Sequence, residues 1–176
     1  MRGLRTSVLF SNLDQPPQVI MMTSSVAGEG KSTSALLLAI TSVQMGKSAI
    51  IVDCDLRRPS LHAFFGERAK SSRGVRGVLE GSATRARYDL VILDAPPVLA
   101  VTDAQIISKR TDTALYCVKW DETPRDIVLD GLRTFSLVSP DIAGLVMTMV
   151  SSDKSLSYGY KYGGYYGRYQ NPYIDN

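Results

Sequence analysis

The apolar residues of the chain fall into short continuous runs that are separated by longer segments of mixed polarity. Five of these runs predict buried strands, at residues 19–23, 49–52, 90–93, 113–118 and 143–150. Five other segments predict helices, at residues 31–44, 60–65, 75–79, 103–109 and 123–138. In the last helix we expect Thr123 as the N-cap and Pro124 in the first turn. Alternating buried strands and helices indicate an α/β fold, with a mostly parallel central sheet covered by helices on both faces.

The segment after the first predicted strand has the pattern of a phosphate-binding loop. Residues 24–33, SSVAGEGKST, fit the pattern G-x-x-x-x-G-K-[ST], except that Ser25 stands at the first glycine. Glycines permit backbone conformations that direct N–H groups at a phosphate, and the start of the following helix adds partial positive charge. A lysine in this pattern reaches the β- and γ-phosphates, and the hydroxyl after it ligates Mg²⁺. The predicted nucleotide-binding residues are Ala27, Gly28, Glu29, Gly30, Lys31, Ser32 and Thr33.

Acidic residues stand at the ends of the second and third predicted strands. Asp53 and Asp55 close the second strand, and Asp94 closes the third. Because ligands of parallel sheets bind beyond the carboxyl ends of the strands, we expect these carboxylates beside the phosphate loop. Ser32, Asp53 and Asp94 are predicted Mg²⁺ ligands. If strand geometry persists, Asp55 points the same way as Asp53 and acts as a base, whereas Arg57 either stabilises transferred charge or is a surface residue.

The tyrosines are concentrated at the end of the chain. The sequence has 176 residues and nine tyrosines, of which seven fall in the last 19 residues. We expect one α/β domain at residues 1–154 and a mobile tail at 155–176 with almost no aliphatic residues. The tail either offers hydroxyl nucleophiles or serves only for association. The predicted phosphate acceptors are Tyr158, Tyr160, Tyr162, Tyr165, Tyr166, Tyr169 and Tyr173.

Composition and charge exclude several other classes of protein. No apolar run approaches the roughly 18 residues of a membrane span, and the start of the chain does not resemble a signal peptide. Cys54 and Cys117 lack metal-site spacing, which favours reduced thiols and a cytoplasmic protein. Residues 67–87 carry a net charge of +4, but no aromatic residues are interleaved. This segment therefore favours a solvated basic loop, and we expect no nucleic-acid partner.

Three motifs and the tail together resemble the bacterial tyrosine kinases, which belong to the phosphate-loop ATPase class and are tied to exopolysaccharide synthesis. The matching segments are SSVAGEGKST at 24–33, IIVDCDLR at 50–57, VILDAPPVLAVTDA at 91–104 and the tyrosine cluster at 157–169. Leu4–Phe10 resembles the end of the family's oligomerisation helix.

This resemblance implies a specific activity, cofactors and partners. ATP with Mg²⁺ would bind the loop, Lys31 would neutralise the γ-phosphate, and Asp55 would position or deprotonate a tail tyrosine of a neighbouring subunit. The implied partners are further copies of the chain, with a ring as one form of the assembly, and the cytoplasmic tail of a membrane polysaccharide co-polymerase. That partner would recruit the protein to the inner face of the plasma membrane, where autophosphorylation would regulate polysaccharide synthesis and export.

The chain departs from the family in one long segment and at one position. Between Gly81 and Tyr88 only six residues intervene, whereas a crossover to a parallel strand needs a dozen or more. A strand–helix unit at the sheet edge is therefore missing, and Thr148 stands where many relatives have Asn. Two alternatives stay open: an ATPase switch that phosphorylates nothing, and a decayed, non-catalytic regulator of polysaccharide chain length.

Overall fold

Within the described residues, the central sheet has five strands, all of them parallel. The computed structural model describes residues 3–4, 16–65, 82–137 and 141–151. The predicted α/β fold is confirmed. The strands are β1 (Val19–Ser24), β2 (Ala49–Asp53), β3 (Leu90–Asp94), β4 (Thr113–Lys119) and β5 (Ile142–Thr148). They lie side by side in the order β2-β3-β1-β4-β5.

The helices largely follow the predicted segments. They are α1 (Lys31–Gln44), α2 (His62–Phe65), α3 (Ser82–Arg87), α4 (Asp103–Ser108) and α5 (Arg125–Ser136). Helix α1 has the bounds that the sequence predicts, whereas α2 begins two residues later. The helix predicted at 75–79 lies outside the described residues. Helix α3 was not predicted, because its segment, SATRAR, offers no apolar face.

Apolar side chains fill a layer on each face of the sheet. Strands β1 and β3 are buried at every position, which explains their continuous apolar runs. On one face α1 contributes Ala35 and Leu38, which belong to the same buried cluster as Met22. On the other face α5 contributes Phe135, which tilts against the ring of Tyr116 at 6.4 Å between centroids. Helices thus cover both faces, as expected.

Two of the predicted element ends differ for reasons that the structure shows. The N-cap of α5 is Pro124, with no side-chain cap, because the hydroxyl of Thr123 donates instead to the Glu29 carboxylate at 2.6 Å. A capping hydroxyl accepts from the first N–H groups of a helix, whereas here the buried Glu29 carboxylate accepts the Thr123 proton and orients the hydroxyl toward itself. Strand β5 ends at Thr148 rather than at residue 150, because Met149 adopts a φ of 52° and leaves the strand geometry.

The short helix α3 is anchored to the amino ends of β1 and β4. Arg85 donates two hydrogen bonds to Asp112, at 3.0 and 2.7 Å, and Asp112 also accepts the backbone N–H groups of Gln18 and Val19. Part of the basic segment is therefore neutralised within the fold. The described part of the chain contains no strand between β2 and β3, in line with the shortened segment, and β2 lies at an edge of the sheet.

No helix in the described segments is long and apolar enough to cross a membrane.

Candidate functional site

The strand order brings the three predicted motifs to one edge of the sheet. Asp53 and Asp94 are register partners at the carboxyl ends of β2 and β3. Asp94 also pairs with Met22 of β1, two residues before β1 ends and the phosphate loop begins. Because β3 lies between β2 and β1, the carboxylate of Asp94 stands between the acidic end of β2 and the loop.

The phosphate loop has the open backbone that phosphate binding requires. Gly28 and Gly30 have φ values of 81° and 75°, a region that residues with a Cβ rarely adopt. A Cβ at Gly28 would meet nothing within 4 Å, so the loop is open on this side. Gly30 is the N-cap of α1, and no side chain of the described residues caps the helix. The first N–H groups of α1 are therefore available to phosphate oxygens.

Ser25 fits the loop without being a glycine. Positive φ among the described non-glycine residues occurs only at Asp121 and Met149, so Ser25 does not need the conformational freedom of glycine. Its hydroxyl is buried and forms a hydrogen bond of 2.9 Å with the hydroxyl of Tyr116. The serine thus attaches the start of the loop to β4, and the departure from the motif carries no backbone strain.

Lys31 and Ser32 begin α1 and differ in their surroundings. The Lys31 side chain is only 8% exposed, and no described carboxylate lies within 4.0 Å of its ammonium group. A buried cation without an ion pair is available to a phosphate. The hydroxyl of Ser32 forms a 2.7 Å hydrogen bond with the hydroxyl of Ser60. Of the other predicted loop residues, Ala27, Gly28 and Thr33 are exposed and Glu29 is buried.

Asp94 carries the main electrostatic feature of the site. It is 1% exposed, and neither carboxylate oxygen has a hydrogen-bond partner among the described residues. Burial raises the pKa of this carboxyl to about 6, against the lowering influence of the nearby Ser32 hydroxyl and Lys31 ammonium, while the charges of Asp53 and Asp55 raise it further. Unpartnered buried carboxylate oxygens are costly, and a bound cation would satisfy them.

Asp53 and Asp55 shape the turn that follows β2. The Asp53 carboxylate accepts the backbone N–H groups of Asp55, Ser60 and Leu61, at 3.2, 2.9 and 3.0 Å. Asp55 accepts the N–H group of Arg58 at 3.0 Å. Strand β2 ends at Asp53, so the strand alternation that would make both side chains point the same way does not reach Asp55. Both remain at the candidate site, since both charges act on Asp94.

The oxygen donors at the site suit Mg²⁺, which takes part of its ligands from water and phosphate, better than a metal whose ligands all come from the protein. Within the described residues no group of three or more His, Cys, Asp or Glu side chains is arranged to hold a metal ion. Magnesium usually keeps several waters and takes one or two carboxylates together with substrate phosphates. The hydroxyl of Ser32 with the unpartnered carboxylate of Asp94 fits this pattern. Ser32, Asp53 and Asp94 as the Mg²⁺ ligands stay a prediction.

Arg57 lies at the surface beside the site. Its Nε contacts the Asp103 carboxylate of α4 at 3.3 Å, and both side chains are well exposed. Exposed ion pairs contribute only about 0–1 kcal/mol, so this contact would release Arg57 easily. Its role toward a phosphate stays a prediction. The seven tail tyrosines lie outside the described residues.

Sequence reasoning missed the side-chain role of Glu29 and the contributions of Ser60 and Thr123. The Glu29 carboxylate is 1% exposed and accepts hydrogen bonds from Val26, Lys119 and Thr123. The sequence offered one signal for the buried position of Glu29, because an acidic side chain inside a phosphate loop must point away from the phosphates. Its partners could not be found, since two of them lie 90 and 94 residues away.

Replacing Asp94 with Asn is expected to stabilise the nucleotide-free protein near pH 7.5. Folding raises the pKa of Asp94 from 3.8 to about 6, so the contribution of this group to stability is full at low pH and falls as pH rises from about 4 to 6. The neutral amide removes this loss, which amounts to up to about 3 kcal/mol. Urea unfolding at several pH values measures it. The same change should weaken Mg²⁺-dependent nucleotide binding.

Asp112→Asn provides the matched control with the opposite sign. Burial tends to raise the pKa of Asp112, but its hydrogen bonds with Arg85, Val19 and Gln18 prevail and lower it. Its stabilising contribution is therefore present at neutral pH and lost in acid, and the Asn variant should be less stable than the wild type at pH 7.5. A destabilised Asp94→Asn variant at pH 7.5 would contradict the description of Asp94.

A family model described as ATPase MipZ matches residues 18–85. The match covers the phosphate loop, α1 and the acidic end of β2, and it stops before Asp94.

Two proteins with tyrosine-protein kinase in their names are similar to the chain over most of its length. YwqD of Bacillus subtilis (strain 168) is 29% identical over 198 aligned positions, which cover 90% of this chain and 84% of YwqD. The alignment is longer than the chain, so YwqD has residues without a counterpart here. EpsB of Ralstonia nicotianae, whose name reads "putative tyrosine-protein kinase", is 28% identical over 97% of this chain. The chain spans only 27% of EpsB.

A solved structure of another protein has a similar fold. The chimerical protein CapA2B2 is 28% identical, with a TM-score of 0.70, over 83% of this chain and 81% of that one. The kinase domain of Escherichia coli ETK has a TM-score of 0.69 at 21% identity and supports the fold alone. The resemblance of this chain to the bacterial tyrosine kinases, which its motifs indicate, is confirmed by these relatives.

Proposed function

We propose that the protein binds ATP with Mg²⁺ and transfers the γ-phosphoryl group to tyrosine hydroxyls of its own C-terminal tail. The observation that carries this proposal is the unpartnered, buried carboxylate of Asp94, which stands between the acidic end of β2 and an uncapped phosphate loop. The names of the relatives support the kinase activity.

The phosphate loop and its neighbours would bind the nucleotide. The backbone N–H groups at residues 27–33 would bind the phosphates, and Lys31 would neutralise the γ-phosphate. Ser32, Asp53 and Asp94 would hold Mg²⁺. When bound, Mg²⁺ would offset negative charge on the β- and γ-phosphates. The buried position of Lys31 strengthens its interaction with a phosphate, because the local dielectric constant is low.

Asp55 and Arg57 would act on the incoming tyrosine and on the transferred group. Asp55 would orient the tyrosine hydroxyl and accept its proton. The tyrosine oxygen forms a bond to the γ-phosphorus while the bond to the β–γ bridging oxygen breaks, and ADP leaves. Arg57 would leave Asp103 to stabilise the charge of the transferred group. Rate enhancement would come mainly from alignment and charge stabilisation.

Transfer would occur between subunits and would change the charge of the tail. Each phosphotyrosine adds about −1.5 to −2 charges at neutral pH, so several would make the tail strongly acidic. Unmodified tails would bind a neighbouring subunit, and phosphorylated tails would repel one another. This cycle would regulate assembly, and through it exopolysaccharide synthesis and export.

The partner and location follow from the same proposal. The cytoplasmic tail of a membrane polysaccharide co-polymerase would activate the protein and hold it at the inner face of the plasma membrane. The chain spans only 27% of EpsB, so most of that relative lies outside the matched region. This supports a proposal in which the chain works together with a further protein segment.

Mixing two variants, neither of which can phosphorylate its own tail, tests the transfer between subunits. A Lys31→Met chain keeps all seven tail tyrosines as acceptors, and a second chain keeps the nucleotide site but carries Phe at those seven positions. With ATP and Mg²⁺ we expect phosphotyrosine on the Lys31→Met chain only in the mixture, as read by mass spectrometry. Tyr116 is an internal control, because its side chain is buried. An unlabelled acceptor chain, alongside a labelled wild type, would contradict transfer between subunits.

The match to ATPase MipZ favours a second candidate, a nucleotide-driven switch that phosphorylates nothing. Phosphate release with no phosphotyrosine would support this candidate over the kinase.

A further inference from the structure

Glu29 is a buried carboxylate inside a loop that would bind anionic phosphates. No described cation forms an ion pair with it. Three donors satisfy it instead: the N–H of Val26 at 2.9 Å, the N–H of Lys119 at 3.3 Å and the hydroxyl of Thr123 at 2.6 Å. A buried charge is tolerated only when such hydrogen bonds hold it, so the position of this side chain is strongly determined.

These donors connect the phosphate loop to a distant part of the fold. Val26 belongs to the loop, whereas Lys119 ends β4 and Thr123 lies in the connection to α5. A fourth contact comes from β5, where the hydroxyl of Thr148 donates to the backbone oxygen of Glu29 at 2.9 Å. Glu29 is thus held from the ends of two strands and from the connection that follows β4.

Glu29 lies between two glycines, so the hydrogen bonds that hold it also restrain the most flexible part of the phosphate loop. Gly28 and Gly30 both have positive φ, and glycines lose more conformational freedom on ordering than other residues. Without a restraint, the loop would have to be ordered when the nucleotide binds, which lowers affinity. A released Glu29 would also bring a negative charge toward the phosphates. Both effects act in the same direction.

We propose that Thr123 is a positioning residue for nucleotide binding, which acts through Glu29 to hold the phosphate loop in its binding conformation. The hydroxyl fixes the carboxylate away from the phosphate side of the loop. This inference rests on the nucleotide binding of the proposed function and is independent of what the phosphoryl group is transferred to.

Replacing Thr123 with Val tests the proposal, because Val keeps the shape and removes the hydroxyl. The dissociation constant of a fluorescent ADP analogue is measured with and without Mg²⁺, together with the melting temperature with and without ADP. We expect about tenfold weaker binding and a smaller ADP-induced rise in melting temperature. Thr123→Ser restores the hydroxyl and should bind within about threefold of the wild type.

A matched control removes a similar hydrogen bond far from the site. The hydroxyl of Thr111 donates to the backbone oxygen of Ser108 at 2.7 Å. Thr111→Val should lower the melting temperature of the nucleotide-free protein by a similar amount and leave the ADP affinity unchanged. A purely structural role for Thr123 would instead make the two valine variants alike, and that result would overturn the proposal.

Glu29→Gln distinguishes the hydrogen bonds that hold the loop from simple repulsion between Glu29 and the phosphates. This test remains available even if the Thr123→Val variant does not fold. Removing a negative charge near the phosphates would by itself tighten binding, whereas loss of an acceptor oxygen loosens the loop. The proposal predicts weaker binding, and tighter binding would overturn it. If the wild type binds no nucleotide, the proposed function fails with the inference. If the wild type and Thr123→Val bind equally, only the inference fails.

Discussion

Replacing Lys31 with Met is expected to weaken ATP binding by about ten- to a hundredfold and to reduce phosphoryl transfer by a further hundredfold or more. The ammonium group is buried at the start of α1 and has no described carboxylate partner, so its charge is available to the phosphates. Methionine keeps most of the length and apolar volume of the side chain, and the fold should be preserved. Titration calorimetry with ATP and Mg²⁺ measures the affinity.

Lys47→Met is the matched control for this prediction. Lys47 lies before β2, at the amino end of the sheet, where its ammonium group contacts Asp89 at 3.3 Å in an exposed pair. Its loss should leave both ATP affinity and transfer within about twofold of the wild type, because exposed pairs contribute little. Equal losses in the two variants, or wild-type affinity in Lys31→Met, would show that Lys31 does not bind the phosphates.

Replacing Gly131 with Ala is expected to destabilise the protein by about 2–3 kcal/mol. A Cβ at this position of α5 would collide with the hydroxyl of Tyr116 and lie 2.9 Å from the hydroxyl of Ser25. Tyr116 is fully buried, so it has no room to withdraw. The destabilisation should appear even though Ala is about 1 kcal/mol more favourable than Gly inside a helix. Urea unfolding measures the change in the free energy of unfolding.

Two further variants identify the collision as the cause. Tyr116→Phe removes the colliding hydroxyl, so the double variant with Gly131→Ala should recover part of the lost stability, and a double-mutant cycle gives the coupling between the two sites. Gly144→Ala is the control, since a Cβ there would meet nothing within 4 Å. If Gly131→Ala is as stable as the wild type, the described packing of α5 against β4 is wrong.

The sheet and the phosphate loop could be predicted from sequence because their signals are local. The central strands are buried on both faces and therefore read as unbroken apolar runs. The bounds of α1 were predicted correctly, because Gly30 and Gly46, both with positive φ, flank the helical pattern. The adjacency of Asp94 and the loop followed from a general property of parallel sheets and needed no contact information.

The remaining features depend on partners that are distant in sequence. Thr123 has the ordinary signature of an N-cap, and only the buried Glu29, 94 residues away, redirects its hydroxyl. Ser25 departs from the loop motif, and only the hydroxyl of Tyr116, 91 residues away, explains how the serine fits. In both cases the local sequence pattern is overridden by a buried polar group, distant in sequence, that needs a hydrogen bond.

The most direct test of the proposed function is mass spectrometry of the wild-type chain after incubation with ATP and Mg²⁺, beside the Lys31→Met variant. The measurement is made on the chain alone and fused to the cytoplasmic segment of its proposed membrane partner. We predict phosphate on several of the seven tail tyrosines of the wild type, none on Tyr116 and none in Lys31→Met. A wild-type chain without phosphotyrosine in both forms, or equal phosphorylation of the Lys31→Met variant, would contradict the kinase function.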